Sequence, residues 1–259
     1  MEITVDTIAQ GHERVVRDIF LYGEELETED GELTIEWPPH DPYTIHIKHP
    51  FQHPMISDSC MFGEKSMQQY VNQLLTLHPP GSMRATYYYS NRLFDYPKVT
   101  IIAENDIEMG RIVEGNGNGK GINQIITSIV ERLAKSPNSR RAIAITWVPE
   151  IDIQSREPPC LQLIQCFIRD QQLHMICYFR SNDMLSAWGA NAYGLAHLME
   201  YIVRKICDER YRLFCETGEE EHCWTDLNVG TLTTISASAH IYWKRDKQEL
   251  NEFKKRMIL

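Results

Sequence analysis

The 259-residue sequence predicts a single α+β domain with a mixed β-sheet and flanking helices. Three observations carry that reading. Amphipathic stretches at helical spacing alternate with short strand-like runs. Two apolar runs, Leu161–Ile168 and Leu173–Phe179, flank the polar Asp170-Gln171-Gln172 and read as an antiparallel hairpin. No internal repeat or linker divides the chain, so residues 1–259 form one unit, and an apolar share of 42% is ample for its core.

From the N-terminus, His12–Gly23 sets Val15, Val16, Ile19, Phe20 and Tyr22 on one face, with Gly23 as the stop. Glu32–Trp37 and Tyr43–Ile47 alternate as strands on either side of the Pro38-Pro39 break. Glu64–Leu77 is a second helix, its buried face built from Met67, Tyr70, Val71, Leu74 and Leu75, and Pro79-Pro80-Gly81 ends it. The aromatic run Tyr87-Tyr88-Tyr89 leads into Asn91-Arg92-Leu93. Glu114–Gly119 is a flexible loop; it lacks the Lys-Ser/Thr ending of a P-loop and no clear strand feeds it, so it is not read as a phosphate cradle.

Ile122–Leu133 is an amphipathic helix with Ile122, Ile125, Ile126, Ile129, Val130 and Leu133 as its buried stripe, stopped by Ser136-Pro137-Asn138. Arg140-Arg141 then precede a buried strand, Ala142–Trp147, and a polar loop carrying Glu157, Pro158 and Pro159. After the hairpin, Ala192–Ile206 is the longest helix, Cys207–Cys223 holds an acidic loop, and Gly230–Tyr242 is a strand. The charged tail Trp243–Leu259 reads either as a closing segment or as a solvated helix.

Acidic residues outnumber basic ones by 36 to 26, and a net charge of −10 argues against nucleic-acid or membrane binding as the main task. Any bound anion needs a local basic cluster. The seven cysteines are odd in number and irregularly spaced, which points to free thiols in a reducing compartment. With no apolar N-terminal leader and no stretch near the roughly 18 apolar residues of a membrane span, the expectation is a soluble, cytoplasmic protein.

The hairpin carries the chemistry. With its turn centred near Gln171, position 160 should lie opposite 181 or 182, and opposed residues sit roughly 5 Å apart. Cys160 therefore meets Arg180-Ser181, where a guanidinium favours the thiolate and offers a fork to phosphate oxygens. Cys166 and Cys177 lie within the strands and read as core. Asn191, at a helix start, serves either as a cap or as a ligand for an edge with both a donor and an acceptor. Cys215, His222 and Cys223 match no tetrahedral zinc pattern, so no metal is expected. From bare chemistry a Cys-His hydrolase, with Cys160 as nucleophile and His240 as base, is a second reading. It leaves Arg140, Arg141 and Arg180 unexplained.

Taken together, these residues resemble the thymidylate synthase family, in its shorter archaeal form and its hydroxymethylase relatives. The likeness rests on Ile122-Asn123-Gln124-Ile125, Ser139-Arg140-Arg141 with Trp147, Pro159-Cys160 with Gln165, Arg180-Ser181-x-Asp183, Asn191 and His240-x-Tyr242, with Tyr89-Ser90-Asn91-Arg92-Leu93 upstream. It implies a thymidylate synthase-like fold that dimerises through a sheet face. It also implies attack of Cys160 on C6 of a pyrimidine nucleoside monophosphate, so that C5 takes one carbon from 5,10-methylenetetrahydrofolate or methylene-tetrahydromethanopterin.

By the same resemblance Arg180 and Ser181 would hold the 5′-phosphate, joined by Arg140 and Arg141 from the partner of a homodimer. Asn191 would read the uracil edge, Gln165 would order the hydrogen bonds around the nucleotide, and His240 with Tyr242 would hold the 3′-hydroxyl. Asp183 would face the pterin and Tyr89 would assist proton removal at C5. No membrane or nucleic acid is required. Leu161 and Ala187 depart from the bacterial and eukaryotic pattern, and no phosphate-binding arginine stands near Glu27–Asp30. Glu64 is a weak candidate for the family's catalytic glutamate. Asn191 favours methylation of dUMP; the alternatives are a dUMP or CMP-type hydroxymethylase, in which water quenches the exocyclic methylene, and a nucleotide-binding module without turnover.

Overall fold

The computed structural model describes residues 1–38, 41–77, 87–104, 107–115, 118–219 and 226–257. Pro39, the Pro79-Pro80-Gly81 stop, Gly117 of the glycine loop, His222, Cys223 and the last two residues of the tail lie outside them. Strand β1 (Glu2–Val5) leads to helix α1 (Ile8–Tyr22), which begins earlier than its apolar periodicity suggests. Thr7 caps it through a capping box with Gln10, satisfying amide groups that the first turn would leave bare. Strands β2 (Glu24–Glu27), β3 (Leu33–Glu36) and β4 (Tyr43–Ile47) follow, then α2 (Glu64–Leu75) and the short α3 (Tyr89–Phe94).

Strands β5 (Lys98–Glu104) and β6 (Ile107–Glu114) form an antiparallel pair that the sequence reading missed, so a strand does feed the glycine loop. Beyond it the predicted helix is a π-helical segment, Ile125–Val130, running on as α4 (Glu131–Lys135). The wider turn slips the phase of the apolar stripe. Ile125, Ile129, Val130 and Leu133 are buried, whereas Ile122 is left 38% exposed.

The hairpin is present as β8 (Leu161–Arg169) and β9 (Gln172–Phe179), preceded by β7 (Ala142–Ile145) and the single turn α5 (Pro149–Asp152). Its loop is tighter than expected. Asp170 and Gln171 alone turn the chain, both in the left-handed region (φ 50° and 56°), as a type I′ turn demands. After β10 (Asn182–Asp183), α6 (Trp188–Thr217) continues well past Ile206 into the segment read as a loop. The predicted strand 230–242 is two strands, β11 (Asn228–Ser236) and β12 (Ala239–Ile241), belonging to different sheets. The tail forms α7 (Lys247–Met257), which is docked by Leu250 and Phe253, both buried, so it is a solvated helix on one face only.

The six-stranded mixed sheet runs β1-β4-β11-β9-β8-β7, and a smaller sheet runs β10-β12-β3-β2. Helix α6 packs on β9 and β11 across one face of the large sheet, and its Leu195, Leu198, Met199, Ile202 and Ile206 share one buried core with Ile164, Met175 and Cys177. Each such side chain contributes roughly 1.5–3 kcal/mol on burial. Trp188 at the start of α6 is fully buried and donates to Thr234 Oγ1 at 3.0 Å. No described helix is long and apolar enough to cross a membrane. The mixed sheet with its flanking helices agrees with the predicted α+β class.

The type I′ turn yields a test. A left-handed conformation costs a non-glycine residue roughly 1–2 kcal/mol, partly offset by the greater unfolded-state entropy of glycine. Gln171→Gly should therefore raise the unfolding free energy by up to about 1 kcal/mol, read as a higher urea midpoint at constant m-value.

Candidate active site

Cys160 stands immediately before β8, where Arg180 N–H donates to its carbonyl at 2.9 Å. Its ladder partner is thus Arg180 itself, not residue 181 or 182. Two features account for the difference: the loop centre falls between Asp170 and Gln171, and a bulge interrupts the pairing between Leu161 and Leu163. The guanidinium of Arg180 folds back over the same strand. Its Nε donates to Pro159 O at 3.0 Å and its Nη2 to Pro158 O at 2.7 Å, while Nη2 stands 3.9 Å from Cys160 Sγ. Arg180 is therefore a clamp on the Pro158-Pro159 turn as well as a charge beside the sulfur, with Nη1 left for a ligand among the described residues.

Three tyrosines close in on the sulfur. Leu161 N–H donates to Tyr89 Oη at 3.0 Å, Cys160 N–H to Tyr87 Oη at 3.4 Å, and Tyr87 donates to Tyr89 at 3.4 Å. Tyr70 donates to Asn191 Oδ1 at 2.7 Å. That bond is possible because α6 has glycine at 194: a Cβ there would lie 2.7 Å from the Tyr70 ring. Asn191 sits inside α6 and Ala187 holds the N-cap position, so the capping alternative for Asn191 falls. Helix α3, which carries Tyr89, is pinned by the buried Arg92–Asp152 ion pair at 2.8 Å and by Gln124, whose amide donates to Arg92 O and Ile145 O. Gln124 of the Asn123-Gln124 motif thus helps to hold the helix that carries Tyr89.

Cys160, Arg180, Tyr70, Tyr87 and Tyr89 line a cleft of about 990 Å³ that also includes Ser181, Tyr242, Arg156, Arg245 and the acidic Glu29, Asp30 and Glu32; Asn191, Asp183 and His240 are not among its lining residues. Burial pushes the Cys160 thiol above its usual range; the Arg180 guanidinium is the main effect pulling it back, with the neighbouring Tyr87 hydroxyl acting the same way, and Asp183 adds to the rise. The expected guanidinium effect is real but burial outweighs it. Burial likewise raises Tyr70, Tyr87 and Tyr89, which stay protonated at neutral pH.

The remaining candidates divide. Tyr242 lies under the guanidinium of Arg245, 4.2 Å from ring centre to Cζ, and packs edge-on against His240 at 4.9 Å. His240 is 5% exposed, burial lowers its pKa, and it contacts Ser238; no hydrogen bond joins it to Cys160 among the described residues, so the Cys-His dyad is not assembled. Asp183 is turned inward: Oδ1 accepts from the N–H groups of Leu185 and Ser186, and Oδ2 takes the Ser186 hydroxyl and Arg245.

Arg140, Arg141 and Gln165 are not brought to this chain's own cleft. Ala142 pairs with Cys166, six positions along β8 from Cys160, about 20 Å away at roughly 3.3 Å per residue, and both arginines are exposed beyond it. Gln165 is on the outer sheet face and donates to Arg140 O at 3.0 Å. Glu64 is exposed at the start of α2 and does not line the cleft. Arg156, Arg245, Tyr70 and Tyr87 are among the cleft residues that sequence reading left without a role. Only Tyr87 carried a signal, as part of an aromatic run. Cys166 and Cys177 are fully buried, as expected, and the six described cysteines are free thiols.

Comparison with known proteins bears on the same residues. The sequence model of the thymidylate synthase family matches residues 67–257, a span that holds Cys160, Arg180, Asn191 and His240. The chain belongs to the thymidylate synthase family. Among its relatives, a protein of Methanocaldococcus jannaschii is 33% identical over 95% of this chain and 93% of its own length. One of Methanosarcina barkeri is 35% identical over 68% of this chain and 74% of its own, and one of Methanothermobacter marburgensis is 28% identical over 93% and 92%. Each is provisionally named a thymidylate synthase. The family is one of C1 transferases that bind a pyrimidine nucleotide, generally use a methylene-folate-type cofactor and typically dimerise.

Because the Tyr70 ring rests on Gly194, Gly194→Ala should push it off Asn191. Overpacking of this kind costs roughly 1–3 kcal/mol, so the variant should show that loss in urea unfolding. A wild-type midpoint would show that the ring can yield.

Proposed function

We propose that this thymidylate synthase homologue methylates dUMP to dTMP, and the observation that carries the proposal is the Arg180 guanidinium lying 3.9 Å from the Cys160 sulfur inside an aromatic-lined cleft. The sulfur adds to C6 of the ring, and the displaced electron pair makes C5 the nucleophile that takes up the one-carbon unit. Arg180, through Nη1, and Ser181 hold the phosphate, and Tyr242 with His240 holds the sugar. Tyr89, held at the cleft by the Leu161 N–H, assists proton removal at C5.

The Tyr70–Asn191 bond supports uracil as the base. With Oδ1 engaged by a phenol, the donor side of the amide remains for a ligand. That side matches the O4 carbonyl of uracil and opposes the N4 amine of cytosine. A carrier such as 5,10-methylenetetrahydrofolate supplies the carbon at the methylene oxidation level. The cleft, near the upper end of the roughly 300–1,000 Å³ usual for ligand sites, has room and aromatic walls for its flat ring. Asp183 is the carboxylate suited to ring N–H donors once Arg245 releases it.

Residues 1–259 act as one catalytic domain that functions as a homodimer. The outer face of the large sheet bears Ile145 and Tyr178, 38% and 40% exposed, beside half-buried Leu163, Phe167 and Ile176. An isologous interface there carries the exposed Arg140 and Arg141 of one chain toward the cleft of the other, a contribution they are too distant to make at home.

Mass spectrometry of the product separates the chemistries. With dUMP and a methylene-tetrahydropterin the expected gain is a CH2 unit; a CH2O unit would identify a hydroxymethylase. Cys160→Ser should abolish turnover while keeping nucleotide affinity, and near-normal rates would remove Cys160 as nucleophile. Arg180→Ala should weaken dUMP binding by about 1.5–3 kcal/mol, the value of a hydrogen bond to a charged group, as measured by titration calorimetry. An unchanged affinity would take it out of the phosphate site.

A further inference from the structure

Tyr87 sits at a junction. Its oxygen accepts from Cys160 N–H at 3.4 Å, which sets the hydroxyl beside the backbone of the nucleophile, and its single proton is directed to Tyr89 Oη at 3.4 Å. The two rings stand 5.3 Å apart at 63°, which keeps the hydroxyls adjacent. Tyr89 Oη meanwhile accepts from Leu161 N–H at 3.0 Å as well as from Tyr87, so both acceptor positions of Tyr89 are filled while the thiol is neutral.

We propose that Tyr87 is a catalytic residue: its hydroxyl donates to the Cys160 thiolate, and in turning to the sulfur it vacates one acceptor position on Tyr89. This rests on the reading of Cys160 as the nucleophile. Ionisation sends the thiol proton to water in the cleft, and Tyr87 keeps its own proton, redirecting only its hydrogen bond. Addition then forms the S–C6 bond and moves the C5–C6 π pair towards C5 and O4. The acceptor position opened on Tyr89 is thus free for a hydrogen bond from the cleft only after the nucleophile has become charged. The need for a second donor follows from the geometry. Arg180 spends Nε and one Nη2 hydrogen on the proline carbonyls and meets the sulfur only at 3.9 Å, while burial opposes the thiolate.

The test reads the thiol without any nucleotide. The full-length protein is alkylated with iodoacetamide across a pH series, and modification of Cys160 is followed by peptide mass spectrometry, with the exposed Cys215 as internal standard. A thiol whose pKa is raised in the folded chain reacts slowly below that value and speeds up as pH climbs through it. Loss of a hydrogen bond to the thiolate should move the midpoint further up, by roughly 0.5–1 pH unit in Tyr87→Phe, with alkylation at pH 8 slowed about 3–10-fold. Tyr89→Phe should change it less than about twofold, since that hydroxyl is bonded to the Leu161 N–H and not to Cys160.

A Tyr87→Phe profile that superimposes on wild type overturns the proposal, as does an equal shift in Tyr89→Phe. Should Tyr87→Phe fail to fold, 3-fluorotyrosine at position 87, a stronger donor of the same shape, should lower the midpoint; no movement overturns the proposal. Covalent capture of 5-fluoro-dUMP with methylene-tetrahydrofolate reports separately on the proposed function. A shifted thiol without capture would sink that function and leave Tyr87 standing, whereas capture with an unshifted thiol would do the reverse.

Discussion

The site depends on one registration event, the pairing of Cys160 with Arg180 at the open end of the β8–β9 hairpin. Strand side chains alternate with a period of two, so a slip of one residue turns each to the other face. Here the type I′ turn and the bulge at Gln162 set the offset together, and the result is a guanidinium that grips two carbonyls of the turn preceding the nucleophile. Those bonds hold the Pro158-Pro159 segment against Arg180. The same arginine then has fewer donors for a ligand than a free side chain would offer. Position and charge come from one residue, at the expense of its capacity to bind.

Electrostatics around the sulfur are a contest, and burial leads it. A thiol more than half removed from water resists ionisation, and the opposing groups are the offset Arg180 and a phenol. Across the cleft, Glu29, Asp30 and Glu32 add negative charge. Arg156 and Arg245 partly offset them, and Arg245 is already engaged by Asp183 and Asp246. Phosphate charge entering such a cleft meets a nearly balanced field, so additional cations from a second subunit have a clear electrostatic purpose.

Local sequence revealed what local chemistry controls. The hairpin was legible because a polar tripeptide separates two apolar runs, and Cys160, Arg180 and Ser181 followed from it. The turn type was not, because nothing in Asp170-Gln171 advertises two left-handed residues; glycine or asparagine would have done so. Helix α6 outran its predicted end because the stretch beyond Ile206 is supported by charge pairs, Arg212 with Glu209 and Glu216, where an apolar stripe was sought. The π-helical turn hid in an apparently ordinary helical period. Tyr70, Arg156 and Arg245 enter the cleft from distant segments, and only tertiary packing reports that. Gln165 lies on the outward strand face, a placement that the motif alone does not report.

The two faces of the large sheet divide the labour. One is sealed by α6, and the position of Asn191 and Tyr70 is set there by a glycine that lets two helices approach. The other bears half-exposed apolar side chains, and the strand that follows Arg140 and Arg141 lies at its edge. A monomer of this shape keeps its nucleophile and its cleft but holds two cations at the far end of the strand from the cysteine. If the outer face closes on a second copy, one set of contacts buries apolar surface and completes two phosphate sites at once. Association and anion binding are then linked: nucleotide bound across the interface favours the dimer, and dilution of the protein weakens nucleotide binding.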